Sequence, residues 1–154
     1  MKMKRKLIIC AIVIVFILVL LPLPQKVERK FFGENISNGE KISIAIDLNY
    51  LRFLLLPDKM YGEITVTSGN KSTVFGEHLS YAGRYPTNNE DKTIHAFTGF
   101  RYDADENTMM SAGIFLSRDF DKILVRDDET EYIGNVAENK EEETAAYFVG
   151  YTRR

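Results

Sequence analysis

The feature that most constrains the fold of this sequence is an apolar segment near the start of the chain. Residues 7–24 carry no charge and no hydrogen-bonding polar side chain, and 14 of them are Leu, Ile, Val or Phe. As a helix they would span about 27 Å, close to the ~30 Å hydrocarbon core of a bilayer. The segment therefore predicts a transmembrane helix over residues 7–24, with the lipid bilayer as its partner.

The residues before this segment predict its orientation. Residues 1–6 form a basic tail that contains Lys2, Lys4, Arg5 and Lys6. Basic residues favour the cytoplasmic side, and a long C-terminal domain crosses largely regardless of charge. A cleaved signal peptide would need small residues at a cleavage site, and none occurs between Leu18 and Phe32. We therefore expect a single-pass protein of the cell membrane, with its N-terminus cytoplasmic and its C-terminal domain extracytoplasmic.

The charge of the remaining chain excludes one class of partner. The whole sequence has 20 basic and 22 acidic residues, and four of the basic ones lie in the N-terminal tail. Residues 25–154 thus hold 16 basic and 22 acidic residues, a net charge of −6. Sequence-independent nucleic-acid binding depends on Lys and Arg that neutralise phosphates, so we expect no nucleic-acid partner. The same residues contain no cysteine, so a hydrophobic core and not disulfides must stabilise the domain.

Beyond the anchor, the pattern predicts β-structure in a domain of residues 41–154. Residues 25–40 are predicted as a charged juxtamembrane connector. From Ile42 to Tyr50 apolar and polar residues alternate, as in a half-buried strand. The alternation breaks in the run Leu51–Leu56, which predicts a bulge or a segment covered on both faces. Pro57 and Asp58 then predict a turn.

Seven further segments have strand character and are separated by polar, turn-rich residues. They are Met60–Thr67, Ser72–Phe75, His78–Tyr85, Thr93–Tyr102, Met109–Ser117, Lys122–Arg126 and Glu131–Val136. Eight short strands at this spacing predict a small antiparallel β-sandwich or barrel. A C-terminal amphipathic helix follows, with Asn139 as its cap and the face of Phe148 packed on the sheet.

No motif in the sequence predicts catalysis or a metal. The lone cysteine, Cys10, lies in the apolar segment, which excludes the cysteine nucleophile that sortases need. His78 and His95 could join Glu77 at a zinc ion, but unpaired histidines are far commoner. The acidic run 103–107 begins like a calcium loop, but Thr108 and Ile114 replace the glycine and glutamate that an EF-hand requires. We therefore expect no catalytic residue and no metal ligand.

One tyrosine pair resembles a known ligand site. Tyr81 and Tyr85 have a Tyr-x-x-x-Tyr spacing that is similar to that of haem-binding near-transporter domains. In a regular strand residues i and i+4 share a face, so the resemblance implies two rings against one ligand. The same spacing recurs at Tyr147 and Tyr151, and cross-strand packing explains the first pair better. We expect no cofactor.

These observations predict a membrane-anchored protein whose β-rich domain binds without catalysing a reaction. Its partner would be another envelope protein or a small ligand. The alternative is a membrane-anchored envelope enzyme with carboxylate-based chemistry at Asp103, Asp105 or Glu77. Catalytic carboxylates need burial and shifted pKa values, whereas these three fall in predicted exposed turns, so binding is the preferred interpretation.

Overall fold

The structure, a computed structural model, describes residues 2–75, 79–87, 92–103, 108–127 and 130–152, with the side chains of 2–7, 18, 101–103 and 108–110 excepted. Two helices and nine strands are present in these residues. In chain order they are α1 (Lys2–Leu20), β1 (Leu23–Asn35), β2 (Lys41–Arg52), β3 (Lys59–Ser68), β4 (Lys71–Phe75), β5 (Ser80–Pro86), β6 (Thr93–Asp103), β7 (Thr108–Ser117), β8 (Lys122–Arg126), β9 (Glu131–Asn135) and α2 (Glu141–Tyr147).

All nine described strands belong to one antiparallel sheet. Its order is β4-β3-β2-β1-β9-β8-β7-β6-β5. The two edge strands, β4 and β5, are consecutive in the chain, and the sheet curls so that β3 packs against β5 and β4 against β6. The mainly β prediction is confirmed. A sandwich of two separate sheets is not what the described residues form.

The N-terminal helix differs from the prediction at both ends. It covers Lys2–Leu20, whereas Leu23 and Pro24, predicted to end the span, already begin β1. The proline at position 22 lacks an amide hydrogen and disfavours helical geometry in the residue before it, so the helix cannot continue to residue 24. Within the described part of the chain, no helix combines the length and the apolar composition needed to cross a membrane.

Most of the segment predicted as a connector is strand β1. It pairs with β2 along almost its whole length and with β9 at its C-terminal end. The many charged residues of β1 obscure its alternation of buried and exposed positions, in which Val27 and Phe31 are buried. Gly33 lies opposite Gly134 of β9, where a Cβ atom would stand 1.7 Å from the Ile133 carbonyl oxygen. A residue without a side chain is therefore required where the first four strands join the last five.

The curled sheet encloses one apolar core. The predicted alternation in β2 is confirmed, because Ile42, Ile44, Ile46, Leu48 and Tyr50 are all buried. They pack with interior residues of the other strands in one contiguous cluster. The run after them is not a covered segment: residues 54–56 form the exposed tip of the β2–β3 loop, so that part of the prediction was wrong.

The C-terminal helix α2 covers part of the outer face. Phe148, fully buried, packs there with Ile94, Leu124 and Ile133, which confirms the predicted contact. The N-cap of α2 is Lys140 and not the predicted Asn139. Val149, which follows Phe148, is exposed, and the regular helix ends at Tyr147.

Candidate functional site

A polar pocket opens at the end of the sheet from which α1 leaves. Its volume is about 290 Å³. Four of its ten lining residues are arginines, and we call it the arginine pocket. It is lined by Arg29, Arg52, Arg84 and Arg118 together with Gln25, Val27, Tyr50, His95, Asp119 and Phe120.

Three of the arginines lie in step with the buried residues of neighbouring strand positions. In β1, Arg29 precedes the buried Phe31 by two residues, and in β2 Arg52 follows the buried Tyr50 by two. Arg118 stands in the same relation to the buried Leu116 of β7. Since every second residue of a strand faces the same side, Arg52 and Arg118 continue the core face to the mouth of the sheet, whereas Arg29 interrupts it between the buried Val27 and Phe31. There a long apolar stem can lie on the core while the guanidinium reaches water.

A β-bulge brings the fourth arginine into the pocket. The register between β5 and β6 shifts between Tyr81 and Gly83, so that Arg84 lies opposite His95. The extra residue reverses the alternation. Tyr81 and Arg84 therefore both point into the interior, whereas Tyr85 is exposed and its hydroxyl donates to the carbonyl of Ala82. The expectation that Tyr81 and Tyr85 share a face was wrong.

Arg84 is fixed by a small hydrogen-bond network at the wall of the pocket. Its Nη2 donates to the Tyr50 hydroxyl at 2.7 Å and lies 3.3 Å from Asp58 Oδ2. The Tyr50 hydroxyl donates in turn to Asp58 Oδ2. Burial and the bond to Asp58 raise the pKa of Tyr50, so this phenol remains a neutral donor. The guanidinium is thus held in place before any ligand arrives.

A buried histidine lies at the inner end of the pocket. His95 is 1% exposed, its Nδ1 is 2.9 Å from the Tyr81 hydroxyl, and its ring stacks on Phe120 at 4.9 Å. Burial, with a further contribution from Arg84, lowers the pKa of His95 to about 4. Burial also raises the pKa of Tyr81 to about 12. Both groups are therefore neutral near physiological pH.

Phe120 reaches this position through an unusual backbone conformation. Its φ angle is +56°, in the left-handed region that a bulky side chain avoids at a cost of about 1–3 kcal/mol. The conformation lets the tight β7–β8 connection place the ring over His95. Such strain is typical of sites whose geometry has a function.

The charge at the mouth is largely uncompensated. Arg52 and Arg118 form no side-chain hydrogen bond or ion pair with any residue that the structure describes, and Asp119 is the one carboxylate among the lining residues. Guanidinium groups bind carboxylates and phosphates through paired N–H donors. The arrangement can therefore hold a small anion.

Of the residues that the sequence singled out, His95 lines this pocket and Tyr81 is hydrogen-bonded to it. Glu77, His78 and Asp105 lie outside the described residues, as does the side chain of Asp103. Among the residues that the structure describes, no group of three or more His, Cys, Asp or Glu could hold a metal ion. Cys10 is exposed on α1.

Sequence reasoning missed all four pocket arginines, although a signal for three of them was present. Arg52 and Arg118 each stand two residues beyond a core residue near a strand end, and Arg29 lies between the core residues Val27 and Phe31. A charged residue at an interior position near the end of a strand predicts a polar opening at that end of the sheet. Arg84 gave no such signal, because the bulge that turns it inward is not visible in the alternation.

Comparison of the chain with protein-family models, with curated proteins and with solved structures found no match.

Proposed function

We propose that this chain is a membrane-anchored, non-catalytic binding protein whose arginine pocket takes up a small molecule with a phosphate or carboxylate group. One observation carries the proposal: four of the nine arginines of the chain line a single pocket. Residues 25–154 have a net charge of −6, so this local concentration of positive charge opposes the overall charge of the domain. The volume of about 290 Å³ suits a small ligand.

The pocket offers an anion several kinds of donor. Arg52 and Arg118 bring charge that no described side chain neutralises, and Arg84 is already oriented by Tyr50. An oriented guanidinium loses little freedom when it binds, which favours affinity. Asp119 in the lining and Asp58, which pairs with Arg84, disfavour anions, but the four arginines outnumber these two carboxylates.

The protonation states in the pocket support binding over catalysis. A general acid or base works best when its pKa is near the working pH. The pKa of His95 is about 4 and that of Tyr81 about 12, so neither exchanges a proton readily near neutrality. The enzyme alternative involves Glu77, Asp105 and the side chain of Asp103, which lie outside the described part of the chain.

The membrane placement in this proposal rests on the sequence. We propose that residues 7–24 anchor the chain in the cell membrane, with residues 1–6 in the cytoplasm and the sheet outside. The continuous apolar run and the basic tail support this placement. Because the arginine pocket opens at the α1 end of the sheet, its ligand would bind close to the membrane surface.

Titration of the full-length protein in detergent micelles tests the anion site. We expect saturable heat on addition of inorganic phosphate or acetate at constant ionic strength, and none with chloride. Arg52→Gln and Arg118→Gln should each weaken binding by about tenfold, or about 1.4 kcal/mol, because each removes one charge-assisted contact. The stronger of the two anions identifies the ligand group.

Lys71→Gln is the matched control. Lys71 is exposed at the start of β4, remote from the pocket, and its loss changes the net charge equally. Equal weakening by all three variants would show a general charge effect, and the absence of saturable binding to either anion would contradict the proposal.

A further inference from the structure

We propose that the tip of the β2–β3 loop, Leu54-Leu55-Leu56, inserts into the lipid interface of the membrane that holds α1. We call these three residues the leucine tip. They form a second membrane contact, which goes beyond anion binding and rests on the membrane placement proposed above.

The three side chains of the leucine tip are too exposed to belong to the hydrophobic core. Leu54, Leu55 and Leu56 are 66%, 68% and 50% exposed. Single exposed leucines are common, but three consecutive ones at the tip of a loop form an apolar patch that needs an occupant.

The register of the sheet places this patch at the end where α1 leaves. Leu23, the first residue of β1, pairs with Arg52, and Leu51 pairs with Lys59. The loop therefore projects beyond the sheet on the side of α1. Leu55 is the third residue after Arg52, so an extended chain of about 3.3 Å per residue brings the tip up to ~10 Å beyond Leu23. Interfacial apolar groups are buried to about this depth.

The base of the loop is held firmly. Asp58 Oδ1 accepts the amide of Phe53 at 3.2 Å, and Oδ2 accepts the Tyr50 hydroxyl. The tip is thus presented by a closed base and needs little ordering when it inserts.

The surroundings of the tip favour lipid over a protein partner. Leu21 and Leu23, at the start of the sheet, are also exposed, so apolar surface continues from α1 towards this end. The exposed Arg52 and Lys59 flank the loop. An apolar tip between basic residues is complementary to an anionic bilayer, whose acyl chains take the leucines while its headgroups attract the cations.

Tryptophan fluorescence of the full-length protein tests this inference. The chain has no tryptophan, so Leu55→Trp introduces a single reporter. The protein is reconstituted into vesicles of phosphatidylcholine and phosphatidylglycerol, with or without brominated acyl chains that quench tryptophan on contact. We expect blue-shifted emission from Leu55→Trp and strong quenching by the brominated lipid.

Two further single-tryptophan variants, on β4 and on α1, distinguish contact by the leucine tip from contact by other parts of the protein. Val74→Trp lies on β4, exposed and paired to the half of β3 remote from the loop, and should remain unquenched. Ile14→Trp reports on α1 and should be quenched. If Ile14→Trp is quenched and Leu55→Trp is not, the leucine-tip inference is overturned and the proposed anchor is retained.

If the brominated lipid quenches neither Ile14→Trp nor Leu55→Trp, both the membrane anchor and the leucine-tip inference are overturned. Quenching of all three reporters also overturns the inference, because contact would not be limited to the α1 end. Phosphate titration is independent of these results, so failure of the anion site is distinguishable from failure of the tip.

Discussion

The interior of the curled sheet has two halves that are built differently. Away from α1, residues such as Ile44, Ile64 and Ile114 fill the space with apolar side chains that are fully buried. Towards α1 the same strand faces carry Tyr50, His95 and the pocket arginines. The apolar half depends on burial, which is non-directional, whereas the polar half depends on hydrogen bonds with defined geometry. Apolar burial and directional hydrogen bonding are thus separated along one set of strands.

This separation has a consequence for substitutions. A change in the apolar half should alter the free energy of unfolding in proportion to the volume removed. A change in the polar half should have a smaller effect that depends on pH, on charge or on the partner left without a hydrogen bond.

The largest effect is expected from Phe31→Ala in the apolar half. Phe31 is 0% exposed, and truncation of a buried phenylalanine costs about 3–5 kcal/mol. Urea unfolding of the full-length protein in micelles measures this loss. The neighbouring Phe32 is on the opposite face and 36% exposed, so Phe32→Ala should cost under about 1 kcal/mol. Similar losses for the two variants would contradict the assignment of faces.

The second largest expected effect is a pH-dependent loss of folding stability caused by His95. Burial and Arg84 lower the pKa of His95 to about 4 in the folded protein, although Asp58 acts in the opposite direction. The unfolded chain, with a histidine pKa of about 6.5, therefore takes up the proton first as the pH falls. Stability is fully present above about pH 6.5 and about 3 kcal/mol of it is lost as the pH falls to about 4.

The variant His95→Asn isolates this contribution from that of the carboxylates. Urea unfolding of both proteins at several pH values should show a steeper loss in the wild type between about pH 6.5 and pH 4. Parallel pH profiles would show that His95 is not buried as a neutral group.

A smaller effect is expected from Asp58→Ala at the wall of the pocket. The carboxylate accepts hydrogen bonds from Tyr50, Arg84 and the amide of Phe53, and its loss should destabilise the fold by about 1–3 kcal/mol. Asp47→Ala is the matched control, because among the described residues Asp47 forms an ion pair only with the exposed Lys26, at 3.5 Å. We expect no measurable change for the control. An equal loss in both would show that the network contributes no more than a surface ion pair.

Apolar spacing and turn residues together predicted much of the sheet. The interior face of β2, the β3–β4 hairpin and the whole of β8 follow from apolar spacing and turn residues. Strand β1 escaped prediction because charges dilute its alternation and because it follows directly on α1. The pocket escaped because its residues lie on β1, β2, β5, β6 and the β7–β8 connection, which become neighbours only when the sheet curls.

By itself, the sequence determined that this chain has an apolar N-terminal segment followed by a mainly β domain, because both are local patterns of side-chain polarity. Tertiary structure alone decided that four arginines spread along the chain from Arg29 to Arg118 line one pocket. It also decided that a bulge turns Arg84 inward and that Leu54-Leu55-Leu56 stands at the end from which α1 leaves. Curvature and register are properties of the whole sheet, and no single segment encodes them.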